Sequence, residues 1–147
     1  MRSTRPFLHA SLDTFTDMFL WSAIADADVR QRCHTIGVAN FHRSLPILAA
    51  SEFPVVVDHV FERSEWYEGC RAALAGKPQL WVGVKCPLDV VKSREAARVD
   101  RRKGLAEFQF GRVHENKLYD LEFDTSTSSA ESCADLILNR IGLNTTP

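Results

Sequence analysis

Three groups of side chains in this sequence have the types and spacing to do chemistry. The first is Asp13, which follows a short apolar run in Ala10-Ser11-Leu12-Asp13-Thr14-Phe15, where a helix should begin. A carboxylate there could accept a proton from a substrate hydroxyl, and it could equally cap the helix. The second is Asp58, placed directly after Val55-Val56-Val57. An acid ending a buried strand needs a cation, a metal or donors, and an apolar run closed by Asp can present a carboxylate to a Mg²⁺ shell. His59 beside it could act as a base or a ligand, or be a histidine hydrogen-bonded in place. The third group is Arg94, Arg98 and Arg101, which recur at helical spacing and are expected to share a face. Guanidinium forks on one face can grip phosphate oxygens bidentately and stabilise charge moving onto a transferred phosphoryl group. A solvated helix with Glu95 and Asp100 as ion partners would use the same residues.

The elements that must position these groups read as βα units. Apolar runs at residues 7–11, 54–61, 80–86 and 118–125 predict four strands, and an amphipathic stretch follows each, which implies a parallel sheet with flanking helices, an α/β fold. The second and third runs are near-continuously apolar and β-branched, the pattern of interior strands covered on both faces. In such sheets ligands bind beyond the carboxyl ends of the strands, where Asp13 and Asp58 fall. Residues 64–75 predict a helix with Ser64 as N-cap and Gly76 past its end. Another should open at Pro87 and run to Gly104, carrying the arginines. The last helix is announced by Ser128-Ser129-Ala130-Glu131, a capping-box spacing, and stopped by Gly142. Residues 14–51 are helical by pattern but interrupted by Gly37 and Pro46.

At 147 residues, 45% hydrophobic and 25% charged, the chain fits one globular domain. Eighteen Lys and Arg against nineteen Asp and Glu leave a net charge of −1, so no global field draws it to nucleic acid or anionic lipid. No apolar stretch approaches the ~20 residues of a membrane span, and the first residues lack the apolar core of a signal peptide, so a cytoplasmic location is expected. Cys33, Cys70, Cys86 and Cys133 show no C-x-x-C spacing and are expected to be reduced and mostly buried.

In order and content these segments resemble the chloramphenicol phosphotransferase-like proteins, small P-loop kinases of the nucleoside-monophosphate-kinase type. The resemblance runs from about residue 7 to residue 141. It rests on Leu12-Asp13-Thr14-Phe15, on Val55 through Phe61, on Leu80-Trp81-Val82-Gly83-Val84-Lys85-Cys86 and on Arg94 through Arg101. It rests also on Val113-His114-Glu115 and on Tyr119-Asp120-Leu121-Glu122-Phe123-Asp124-Thr125. It implies ATP and Mg²⁺ as cofactors and a small-molecule hydroxyl as acceptor. By the same resemblance Asp13 is the catalytic carboxylate, and Asp58 faces the metal through water. Arg98 and Arg101 belong to a lid over the phosphates (residues 94–116), supported by Arg94, and Asp124, Thr125 and Ser126 form the loop near the adenine. Lid closure would exclude water and limit wasteful hydrolysis.

One departure dominates: no Gly-x-x-x-x-Gly-Lys-[Ser/Thr] occurs in the sequence, and its seven glycines are dispersed. The family carries this loop on a β-loop-α unit ahead of the strand leading to Asp13, so the chain reads as a single domain truncated at that end. Without the loop there is no nest of backbone N–H groups for the β-phosphate and no Lys for the transferring group. The family's missing strand would lie between those at 54–61 and 80–86, leaving each with an unpaired edge open to self-association. Two explanations stand: the start is internal to a longer product, or a shortened homologue persists as a non-catalytic binding or interaction protein. The segment between Asp13 and Asp58 is shorter than in the name-giving enzyme, so the resemblance implies no particular acceptor.

Overall fold

The computed structural model describes residues 5–98 and 103–143. All four apolar runs are strands there, shortened to four residues each: β1 (Leu8–Ser11), β2 (Val55–Asp58), β3 (Val82–Lys85) and β4 (Leu121–Asp124). They form two parallel pairs instead of one sheet. β1 pairs with β2 in the register Leu8↔Val55 to Ser11↔Asp58, and β3 pairs with β4 from Val82↔Leu121 to Lys85↔Asp124. The chain divides correspondingly into two compact units, split after Lys77.

In the first unit, Arg5–Lys77, α1 (Leu12–Thr16) follows β1 at once and α2 (Ala27–Leu48) is the long element. Neither Gly37 nor Pro46 interrupts α2. Gly37 is buried where α1 crosses, with a Cβ position only 3.3 Å from Thr16 Cγ2, so it permits a close approach of the two helices. Pro46 lies in the last turn, where the helix is about to end in any case. Asp26 starts α2 properly, its carboxylate accepting from the Val29 amide at 2.8 Å. Val38, Phe41 and Leu45 recur at helical spacing on its core face, and Phe41 and Leu45 are fully buried with Cys70 of α3. α3 (Ser64–Ala73) is capped at Arg63, one residue earlier than expected, and Ser64 makes no capping bond.

In the second unit, α4 (Leu88–Ala96) opens at Pro87 as its sequence predicts but does not reach Gly104. The Arg98 amide bonds the Glu95 carbonyl at 3.0 Å, a tightened final turn after which the chain leaves the helix. A separate α5 (Leu105–Phe110) follows, entered through Gly104 at φ 87°, a conformation that favours glycine. α6 (Ala130–Arg140) is capped by Ser129, whose Oγ accepts from the Ser132 amide at 3.2 Å, so the cap sits one residue later than the 128/131 box implied. Its end is a Schellman closure: the Leu143 amide reaches the Leu138 carbonyl at 2.9 Å and Gly142 sits at φ 68°.

Coverage of β2 and β3 on both faces is not what the structure shows. Side chains alternate between faces along a strand, and Val56 and Val84, on the outward faces, are 51% and 59% exposed. All four cysteines are free thiols, yet only Cys70 is buried, and that burial pushes its pKa up to about 12. Among the described residues no helix is long and apolar enough to cross a membrane.

Candidate functional site

Register places the two acids of the first unit together. Ser11 lies opposite Asp58 at the carboxyl ends of β1 and β2, and Asp13 follows two residues later in the first turn of α1. Both carboxylates are exposed, and no hydrogen bond or ion pair among the described residues holds either of them. Asp13 is therefore not the cap of α1: that position belongs to Ser11, which makes no side-chain bond. Asp58 escapes the burial that a strand end implied, so it needs no compensating cation to be stable there.

His59 is the anchored residue at this strand end. Its Nε2 lies 2.9 Å from Nε2 of His42 on α2, the two sharing a hydrogen bond, and its ring stacks on Phe61 at 4.2 Å between centroids. Burial, and then the neighbouring His42, lower its pKa to about 4. Nδ1 of His59 is buried with no hydrogen-bond partner among the described residues. This is a packed, neutral imidazole, and it fixes the backbone that carries Asp58. His42 has no sequence signal that joins it to His59; only the tertiary fold, which brings α2 to the residue after β2, does so.

In the second unit, Arg94 and the 124–126 loop form one network. Arg94 Nη1 donates to Thr125 Oγ1 at 3.1 Å and Nη2 to the Thr125 carbonyl at 2.7 Å. Asp124 Oδ1 accepts from the Ser126 amide at 2.8 Å and from Ser126 Oγ at 2.6 Å, and the Ser126 side chain and then its amide hold the Asp124 carboxyl below its ordinary pKa. The loop is thus pre-shaped by its own side chains. Arg98 is exposed just past the end of α4, so it does not extend a helical face with Arg94. Arg101 and Asp100 lie outside the described residues. The carboxylate of Glu95 accepts from the amides of Gly104 and Ala106 at 2.9 and 2.8 Å and so caps α5.

Nearby, Tyr119 lies across Gly83 of β3, its hydroxyl 2.9 Å from His114 Nδ1. A Cβ at Gly83 would stand 2.6 Å from that ring, so the glycine is what lets the tyrosine seat. Sequence reasoning flagged both stretches and missed their contact.

The family model for chloramphenicol phosphotransferase-like protein matches residues 2–142, nearly the whole chain. The chain belongs to that family. This chloramphenicol phosphotransferase-like chain is also similar in structure to the tunicamycin resistance protein of Deinococcus radiodurans. The TM-score is 0.69 at 16% identity, over 96% of this chain and 85% of that one. The likeness speaks for the fold, a kinase-like α/β arrangement of parallel strands and helices. No curated protein matches the chain.

The residues present meet the family's cofactors only in part. Among the described residues no group of three or more His, Cys, Asp or Glu side chains could hold a metal ion. A single exposed Asp58 still suits Mg²⁺, which keeps most of its waters and is carried largely on nucleotide phosphates. The Gly-x-x-x-x-Gly-Lys-[Ser/Thr] motif that cradles phosphates in P-loop proteins does not occur in the sequence.

Proposed function

We propose that this chain carries the acceptor-side and phosphate-closing parts of an ATP-dependent small-molecule O-phosphotransferase. The supporting observation is the β1–β2 register, which sets Asp13 and Asp58 at the carboxyl ends of one parallel pair, with neither carboxylate spent on a bond among the described residues. Asp13 is the base that takes the proton of an acceptor hydroxyl, the role an exposed carboxylate near a strand end can fill. Asp58 orients the water shell of a nucleotide-borne Mg²⁺. Arg98 and Arg101 neutralise phosphate charge, and the 124–126 loop, braced by Arg94, borders the nucleotide base. The transferring phosphoryl group needs backbone donors and a Lys arranged as in a Gly-x-x-x-x-Gly-Lys-[Ser/Thr] loop, a motif this sequence does not contain, so negligible turnover is expected of this chain alone.

The test is a nucleotide-binding and turnover pair. Mg-ATP at about 100 times its dissociation constant stabilises the fold by about 2.7 kcal/mol, a clear shift in thermal melting. No shift at millimolar Mg-ATP would remove nucleotide binding from the account. Acceptor-dependent ADP release abolished by Asp13→Ala would show that another segment replaces the missing loop and would overturn the prediction of negligible turnover.

A second reading draws on the open edge of β2. Among the described residues that strand pairs only with β1, and Val56 is half exposed on it. A chain without phosphotransfer would use such an edge to bind another strand, including one from a second copy. Sedimentation showing a concentration-dependent dimer, lost in Val56→Lys, supports this reading; a monomer at all concentrations refutes it for self-association.

A further inference from the structure

Two neighbouring side chains at the end of α4 reach for different segments of the second unit. Consecutive helical residues do not face the same way, and Arg94 and Glu95 use that divergence. The guanidinium of Arg94 holds Thr125 by two bonds, 3.1 Å to Oγ1 and 2.7 Å to the carbonyl. Thr125 Oγ1 passes the connection on by donating to the Lys85 carbonyl at the end of β3, at 3.1 Å. The carboxylate of Glu95 holds the start of α5 through the amides of Gly104 and Ala106. Lys92, one turn back, adds an ion pair to Glu107 at 3.0 Å. α5 has six residues and a glycine in its cap position, too short to persist without tertiary support, so these bonds decide where it sits.

We propose that Arg94 and Glu95 form a strut coupling the 124–126 loop to α5, and that both are positioning residues for a nucleotide site rather than ligands of phosphate. The functional half of this statement rests on the reading that the 124–126 loop borders a nucleotide. Two of the five N–H donors of Arg94 are engaged on Thr125, one of them on a backbone carbonyl, which turns the guanidinium plane onto this loop and leaves a phosphate only the donors that remain. A fork is also what the job needs, since a lysine would keep the charge but could not span Oγ1 and the carbonyl in one plane.

The experiment is amide hydrogen exchange on the full chain with Arg94→Lys and Glu95→Ala, paired with Mg-ATP titration. Glu95→Ala must speed exchange at Gly104 and Ala106, whose acceptor it removes. The strut requires that Arg94→Lys, which touches neither amide, speed them as well, by about 5- to 10-fold for the loss of one charge-assisted bond, while β1 and β2 amides stay unchanged. Faster exchange in Glu95→Ala with Arg94→Lys silent overturns the strut. Where the unmodified chain binds Mg-ATP, each variant weakens binding by about 5- to 10-fold, and the double variant is no weaker than the worse single one. Thr125→Ser, which keeps the hydroxyl, retains affinity, and Thr125→Val does not. Unchanged affinity in both single variants overturns the positioning role. Failure of the unmodified chain to bind Mg-ATP sinks the nucleotide reading and with it the positioning role, and the exchange rates still decide the strut.

Discussion

Lowering the pH from 7.5 to 4.5 is expected to cost the fold about 2.5 kcal/mol through His59. The ring is packed against Phe41, Phe61 and Trp66 and bonded to His42. Burial, then the His42 charge, takes its pKa from 6.5 to about 4 in the folded chain. Unfolding therefore lets the imidazole take up a proton anywhere between those two values. Across that window the unfolded state binds more protons, so stability is full above pH 6.5 and falls as acid is added. At about 1.36 kcal/mol per pH unit the whole window is worth about 3 kcal/mol, most of it spent by pH 4.5. Carboxylates also titrate in acid, so the decisive quantity is a comparison. Urea unfolding followed by tryptophan fluorescence, at both pH values, should show His59→Phe losing about 2.5 kcal/mol less than the unmodified chain. Equal losses in the two proteins would refute the claim that a buried, neutral imidazole governs the acid response.

Gly83→Ala puts a methyl group 2.6 Å from the Tyr119 ring, and unseating that ring and its bond to His114 should cost about 1–3 kcal/mol in chemical denaturation. Gly111→Ala meets nothing within 4 Å and should be neutral or slightly stabilising in the same assay, which separates a steric effect from a generic loss of glycine. Phe41→Ala, at a fully buried position of α2, should lower stability by about 3–5 kcal/mol. Ser129→Ala removes the cap of α6 and should cost about 1 kcal/mol, whereas Ser128→Ala should be silent, which a pair of melting curves distinguishes.

Strand positions were legible because the signal is local. Val55-Val56-Val57 and Leu80 through Val84 are β-branched or apolar runs that no helix period explains, and Asp58 and Asp13 fall at strand ends by counting alone. The parallel pairing followed from helices between strands. Motif content in Asp13, Asp58, Arg94 through Arg101 and Asp124-Thr125-Ser126 was enough to name the family, since order along a chain survives without coordinates. Element ends were less secure: α4 stops at Ala96 although its pattern runs on, and Glu95 beside that end accepts from the amides of Gly104 and Ala106, a contact no local pattern records.

The sequence by itself determined the α/β class, the strands and the absence of a Gly-x-x-x-x-Gly-Lys-[Ser/Thr] motif, all of which depend on residue types read in order. Tertiary structure alone decided which side chains are spent and which are not. It bonds His42 to His59 and Arg94 to Thr125, leaves Asp13 and Asp58 exposed without a partner among the described residues, and keeps Val56 and Val84 open. The physical reason is that a hydrogen bond or a buried face needs two surfaces to meet, and the spacing of residues on one element carries no record of what will cross it.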